Sequence, residues 1–276
     1  MPAMTTTTAD IATDLLTPLG AYLRLRRGAR ASFLLESVEH GRLGRYSFIG
    51  CGSRLVYLNE AEELAEPVVG YLAYDHAAKL EPTVPLPADG AGFPESRFVV
   101  AETLLRFDHV LGVAEVLAGD RAEVAERLET DGEVPRPARD TRRGAMRRFP
   151  TRAEYEAGVR RVKEHIRAGD AFQIVLSQRA ERPTSATAVE LYRALRRVNP
   201  SPYNFLLELD GVDLIGSSPE TLVKLERPRR ASLNPIAGTS RPSHLTSVSG
   251  ELPISARPSS SRRNKYGDGL TRRSAR

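Results

Sequence analysis

Apolar side chains recur at helical spacing in two stretches of the chain, and each opens on a capping signature. Tyr155, Val159, Val162 and Ile166 follow Thr151-Arg152-Ala153-Glu154, in which a Thr oxygen and a Glu carboxylate three residues apart can satisfy the first free amides of a helix. Gly169 closes that run, since glycine tolerates the left-handed conformation that ends helices. Val189, Tyr192, Leu195 and Val198 follow a second capping box at Thr187–Glu190, and Asn199-Pro200-Ser201-Pro202 stops the helix because proline cannot continue the ladder. Between the two, Phe172, Ile174 and Leu176 alternate with Gln173, Val175 and Ser177, which predicts a strand over 172–179 whose second face lines something polar. Tyr203 to Leu209 and Val212 to Ile215 flank Asp210-Gly211, a pair suited to the positive φ angles of a tight hairpin turn. Ser218-Pro219-Glu220 has the form of a cap, a first-turn proline and a first-turn acid.

Upstream the pattern is mixed. From Ile11 to Leu128, short apolar runs such as Leu55 to Leu58 and Phe98 to Val100 are separated by Gly and Pro, with a helix expected from Asp120 to Leu128. Residues 11–129 therefore predict a strand-rich α/β region. Residues 130–150 hold Asp131-Gly132, three prolines and several arginines with little apolar content, the composition of a linker. A second region is expected over 151–239. Residues 240–276 are rich in Ser, Arg and Pro, bury too little apolar surface to offset the entropy of ordering, and predict disorder.

Charge changes this picture only at the tail. The net charge is +5, but residues 240–276 hold eight Lys or Arg against Glu251 and Asp268, which leaves residues 1–239 with 32 basic and 33 acidic side chains. A neutral body and a tail whose only aromatic is Tyr266 argue against nucleic acid as partner. No run of 18 apolar residues occurs, and the Thr-rich start lacks the apolar stretch of a secretion signal, so a cytoplasmic protein off the membrane is expected. Cys51 is the only cysteine, which excludes an internal disulfide. His40, His76, His109 and His165 have no metal-ligand spacing, and Arg26-Arg27 and Arg142-Arg143 are expected at the solvated surface.

Periodicity names no chemistry, but several strings together do. Gly169-Asp170-Ala171-Phe172-Gln173-Ile174-Val175-Leu176-Ser177-Gln178-Arg179, Asn199-Pro200-Ser201-Pro202-Tyr203, Gly216-Ser217-Ser218-Pro219-Glu220 and Pro235-Ile236-Ala237-Gly238-Thr239 occur in the order and approximate spacing of the anthranilate synthase large subunit. Phe33-Leu34-Leu35-Glu36-Ser37, Gly44-Arg45-Tyr46-Ser47-Phe48-Ile49-Gly50 and Gly70-Tyr71-Leu72-Ala73-Tyr74-Asp75 resemble that family's N-terminal part. On these motifs the chain, from about residue 15 to residue 239, resembles the large subunits of anthranilate synthase, within the chorismate-binding enzymes.

The resemblance implies an α/β (α+β) fold of antiparallel sheets flanked by helices, incomplete at its C-terminus. It implies conversion of chorismate and ammonia to anthranilate and pyruvate in tryptophan biosynthesis. The ammonia comes from glutamine through an amidotransferase partner, anthranilate synthase component II, and Mg2+ is the cofactor. Gly238 and Thr239 match the chorismate-contacting pair, where bare backbone and a hydroxyl can approach a carboxylate. Glu220 and Gln173 match residues lining the catalytic site. Gln173 stands where isochorismate and salicylate synthases have a water-activating lysine, and Ala237 stands where aminodeoxychorismate synthases commonly have lysine; neither residue can serve as base or nucleophile, which leaves direct use of ammonia. A regulatory tryptophan site is implied at Ser37, Pro202, Tyr203 and Asn204, with a serine for the ligand's polar end, a rigid apolar wall for its indole, and asparagine where methionine is common.

After Thr239, Ser240-Arg241-Pro242-Ser243 departs from the family's Arg-Pro-Arg-Gly, and the family's magnesium glutamates, catalytic histidine, and chorismate-binding Tyr and Arg have no counterpart; His244 stands in a different context. A truncated copy, with a reading-frame shift near Thr239 and no synthase activity of its own, is the expectation. An aminodeoxychorismate synthase component I, or a catalytically dead fragment that binds tryptophan or a partner, stand as alternatives.

Overall fold

The computed structural model describes residues 10–39, 42–43, 45–83, 85–86, 92–130, 144–199, 203–218, 223–226, 230–233 and 250–253. It divides into two units, residues 1–219 and 220–276.

In the first unit, Thr17 caps helix α1 (Pro18–Leu25), with Pro18 in the first turn where its missing N–H costs nothing. Strand β1 (Asp10–Ala12) precedes α1, and β2 (Ala31–Glu39), β3 (Arg42–Leu43), β4 (Tyr46–Gly52) and β5 (Leu55–Val56) follow it. Next come α2 (Leu58–Ala61), β6 (Val68–Leu72), a 3-10 turn (Tyr74–His76), α3 (Ala77–Leu80), β7 (Ser96–Val100), β8 (Thr103–Asp108), β9 (Val113–Ala118) and α4 (Arg121–Glu129). Beyond residue 143 lie β10 (Arg147–Phe149), α5 (Arg152–Ala168), β11 (Arg179–Glu181), α6 (Ala188–Val198), β12 (Tyr203–Leu209) and β13 (Asp213–Ser218).

An antiparallel sheet in the order β1-β9-β8-β4-β2-β12-β13, with β3 paired to β2, organises the unit. The alternation of side chains along its strands feeds two cores. Leu34, Ile49, Leu105, Phe107 and Leu206 point to one face, where α1, α4 and α6 cover them with Tyr22, Leu25, Val124, Leu128, Val189 and Tyr192. Phe33, Leu104, Leu207 and Leu209 point to the other, against Val99 of the small sheet β5-β7-β6. The arrangement is thus three layers: helices, large sheet, small sheet.

This architecture bears out the α/β fold with antiparallel sheets and flanking helices, and it redraws the expected division of the chain. Residues 11–129 and 151–239 do not form separate sheets around a linker. Instead β12 pairs with β2 from Tyr203↔Ser37 to Leu209↔Ala31, so the large sheet is built from both regions. Composition marks residues 130–150 as a connection, but strand pairing ignores chain order. Residues 131–143 lie outside the described residues.

Both capping boxes form as expected. Thr151 and Glu154 close the N-terminus of α5, Gly169 ends it at φ 84°, and Thr187 and Glu190 close that of α6. Asp120 caps α4. Asp210 at φ 49° and Gly211 at φ 90° make the hairpin turn. The strand expected over 172–179 does not form: residues 173–178 join no ladder with any described residue, and only β11 pairs, with β10. Alternation marks a segment that can be a strand, but a strand exists only beside a neighbour, and here no described residue supplies one. Leu176 does pack on α5, where a Cβ on Gly158 would lie 3.0 Å from its Cδ2. Phe172 is 97% exposed. Arg26 is not a solvated surface charge but reaches Glu208 and, with it, the hydroxyl of Tyr22.

The second unit contains β14 (Val223–Glu226), β15 (Arg230–Leu233) and β16 (Gly250–Pro253) in one antiparallel sheet. Gly250–Pro253 falls in the tail expected to be disordered; a ladder needs only backbone groups, and these four residues pair with β15 despite their poor apolar content. No helix among the described residues is long and apolar enough to cross a membrane.

Candidate functional site

Polar residues occupy both ends of the ladder between β2 and β12, two interior strands of the large sheet. On the helix-facing side of β2 and β12, the middle rung is Leu34 opposite Leu206. Two residues along in one direction stands Ser32 opposite Glu208, and in the other Glu36 opposite Asn204. Each end meets a tyrosine from a helix. At the first, Tyr22 of α1 shares its hydroxyl with Ser32 at 3.0 Å and donates to Glu208, which also receives Arg26. Burial, then the neighbouring Glu208 carboxylate, pushes the Tyr22 hydroxyl far above its usual range, so it stays a donor.

At the second end, Tyr192 of α6 donates to Glu36 Oε2 at 2.5 Å, and Arg196 forms an ion pair with the same oxygen, its Nε 3.0 Å away. The difference between the two ends is exposure. Glu208 keeps 23% of its side-chain surface open to solvent, whereas Glu36 has none. Glu36 Oε1 is fully buried and has no hydrogen-bond partner among the described residues. A buried carboxylate oxygen that receives no donor is costly, so such an atom marks a place where a ligand's donor fits.

Neighbouring strands extend this polar patch. Ser47 of β4 is fully buried, and its hydroxyl lies 2.8 Å from His109 Nε2. Burial pushes the His109 imidazole below its usual range, against the pull of the Glu36 and Asp108 charges. Arg45, at the start of the same region, bonds Asp108 through Nε at 3.2 Å and Nη2 at 3.1 Å.

Of the residues singled out from sequence, Ser37 and Tyr203 face each other as the last rung of the β2–β12 ladder, although 166 positions separate them. Asn204, grouped with them, projects to the opposite face beside Glu36, because adjacent residues of a strand point to opposite sides. A ligand that caps the end of the ladder meets both faces at once. On the Ser37 side, a cavity of about 490 Å³ lies one rung further in, lined by Leu35, Tyr71, Phe93, Phe205 and Leu214. Gln173 is exposed in the unpaired segment after α5, away from any sheet partner. Pro202, Glu220, Gly238 and Thr239 lie outside the described residues. Among the described residues no three of His, Cys, Asp or Glu gather closely enough to hold a metal ion.

Sequence reasoning passed over Glu36, Tyr192 and Arg196. Tyr192 read as one more apolar helix position, and Glu36 as a letter of a motif. The available signal was the pattern itself: Glu36 occupies the position two after Leu34, on the strand face that alternation assigns to the core.

The chorismate binding enzyme family matches residues 18–247. Anthranilate synthase component 1 of Thermus thermophilus is 37% identical over 269 residues, covering 82% of this chain and 58% of that protein. The probable anthranilate synthase component 1 of Schizosaccharomyces pombe is 38% identical over 273 residues, covering 83% and 55% respectively. The chain thus spans little more than half the length of these relatives. Among solved structures, anthranilate synthase component I from Streptococcus pneumoniae superposes with a TM-score of 0.53 at 25% identity, over 82% of this chain and 60% of that one.

Proposed function

Because the chain belongs to the family of chorismate binding enzymes, we propose that it is the tryptophan-sensing portion of an anthranilate synthase large subunit. The reaction served is the conversion of chorismate and ammonia to anthranilate and pyruvate. A glutamine amidotransferase subunit is the partner that supplies the ammonia. One observation carries the reading: the pairing of β2 with β12 joins two motifs from distant parts of the chain into one ladder end, where Ser37 meets Tyr203 and Glu36 meets Asn204. That end offers the chemistry an aromatic amino acid needs. Glu36 Oε1 takes the ammonium, the Ser37 hydroxyl takes a polar end, and the ring of Tyr203, 39% exposed, lies beside an indole.

Titration of the full chain with tryptophan in a calorimeter is the test, with saturable binding at one site per chain as the expected outcome. Ser37→Leu puts a branched apolar side chain on the last rung and is expected to weaken binding about tenfold, roughly 1.4 kcal/mol. Binding that is absent in the wild type, or indifferent to this change, sinks the proposal.

The synthase reaction itself is assigned to residues beyond this site, with Gly238 and Thr239 as chorismate contacts and Glu220 and Gln173 lining the pocket. Magnesium does not fit the described residues, which bring no carboxylate cluster together. We therefore expect no turnover by the chain alone. Incubation with chorismate, ammonia and magnesium is expected to leave anthranilate fluorescence at background, and a rise above it would show that the chain assembles a working site.

A further inference from the structure

We infer that Tyr192 and Arg196 are positioning residues, which hold Glu36 by one oxygen so that its other oxygen is presented to the ammonium group of the bound amino acid; this rests on the tryptophan reading above. A carboxylate has two oxygens and about four acceptor directions, and a lone buried one turns to share its donors between them. Here the donors are one-sided. The Tyr192 hydroxyl and Arg196 Nε both end on Oε2, at 2.5 and 3.0 Å, and Oε1 receives nothing among the described residues.

The helix makes this arrangement stiff. Tyr192 and Arg196 are four positions apart and so share one face of α6. The Thr187 capping box fixes the start of that helix, with the Thr187 N–H donating to Glu190 Oε2 at 2.8 Å. Its end is tied to the sheet, where Asn199 Nδ2 donates to Ser217 Oγ at 2.9 Å, and Ser217 pairs with Asn204. Both donors therefore approach Glu36 from a direction that its own strand does not set. Tyr192 remains protonated for this purpose, because burial and then the Glu36 charge push its hydroxyl far above the usual range. At the other end of the strand pair Glu208 has a similar tyrosine and arginine but is open to solvent, so its second oxygen is not reserved.

A purely structural role predicts that loss of either donor lowers stability and weakens every ligand alike. A positioning role predicts loss of selectivity for the amine. The experiment compares tryptophan with indole-3-propionate, which lacks the amine, by calorimetric titration of the full chain and of the Tyr192→Phe, Arg196→Gln and Arg196→Lys variants. Wild type is expected to prefer tryptophan by about tenfold to a hundredfold, the range of a charge-assisted hydrogen bond in a buried site. In Tyr192→Phe and Arg196→Gln that ratio is expected to fall to within about threefold of unity while indole-3-propionate binding changes less than about twofold, and Arg196→Lys is expected to restore part of it. Tyr192→Phe keeps the whole ring in the core, so it reports even where Arg196→Gln fails to fold. Variants that retain the wild-type ratio would overturn the inference and leave the tryptophan site standing. A wild type that binds tryptophan but shows no preference for it also overturns the inference, whereas a wild type that binds neither compound overturns the site and the inference together.

Discussion

Replacing Leu34 with alanine is expected to lower the unfolding free energy by about 2–5 kcal/mol, the range for removing a large aliphatic side chain from a close-packed interior. Leu34 is completely buried in β2, with Ile49 of β4 opposite it on one side and Leu206 of β12 on the other. It is thus the rung where three strands meet beneath the helices. Those strands are held by their own ladders and cannot move in to fill the space. For a unit of this size each kcal/mol corresponds to roughly 2–4 °C, so the melting temperature is expected to drop by about 4–20 °C, measured by scanning calorimetry. A loss below about 1 kcal/mol would mean that β2 does not lie between β4 and β12 inside the sheet.

The second large effect is expected at Gly52. A Cβ there would run into the carbonyl oxygen of Val100 and lie 3.3 Å from Val99 Cγ2, and the first of these is backbone rather than a side chain that can swing aside. Gly52 ends β4, which belongs to the large sheet, whereas Val99 and Val100 end β7 of the small one. An added methyl must therefore push the two sheets apart at a buried point. Gly52→Ala is expected to cost about 3 kcal/mol, the upper part of the usual range for overpacking, and to shift the urea midpoint accordingly. Gly28→Ala is the control, since a Cβ there meets nothing within 4 Å and only the φ of 75° resists, for about 1 kcal/mol. Equal effects at the two glycines would remove the argument from close approach.

What the sequence made legible was local. The helices α5 and α6 announce themselves because each capping box and each apolar repeat lies within one short stretch, and the Asp210-Gly211 hairpin needs only its own two strands. The partnership of β2 with β12 is invisible to such reading, because nothing in residues 31–37 specifies a neighbour 166 positions away. For the same reason a composition boundary at 130–150 looks like a domain border while the sheet runs across both sides of it. Residues 172–178 show the converse, an alternation as regular as that of any strand with no neighbour among the described residues to complete it. At the candidate site, Ser37 and Tyr203 were reached through family motifs and do meet. Asn204 was assigned to the same tryptophan site, although strand geometry turns it to the other face. Glu36 became visible only once α6 was in place, since its significance lies in which of its oxygens the helix leaves alone.

The rung between Ser37 and Tyr203 also governs the order of events during synthesis. At typical translation rates of about 5–20 residues per second, the stretch between them takes on the order of ten to thirty seconds to emerge from the ribosome. Throughout that interval the nascent β2 carries Phe33, Leu34 and Leu35 without the strand that will shelter them. A chaperone that recognises extended aliphatic peptide is thus expected to engage the polypeptide at this segment and to release it once residues 203–209 become available.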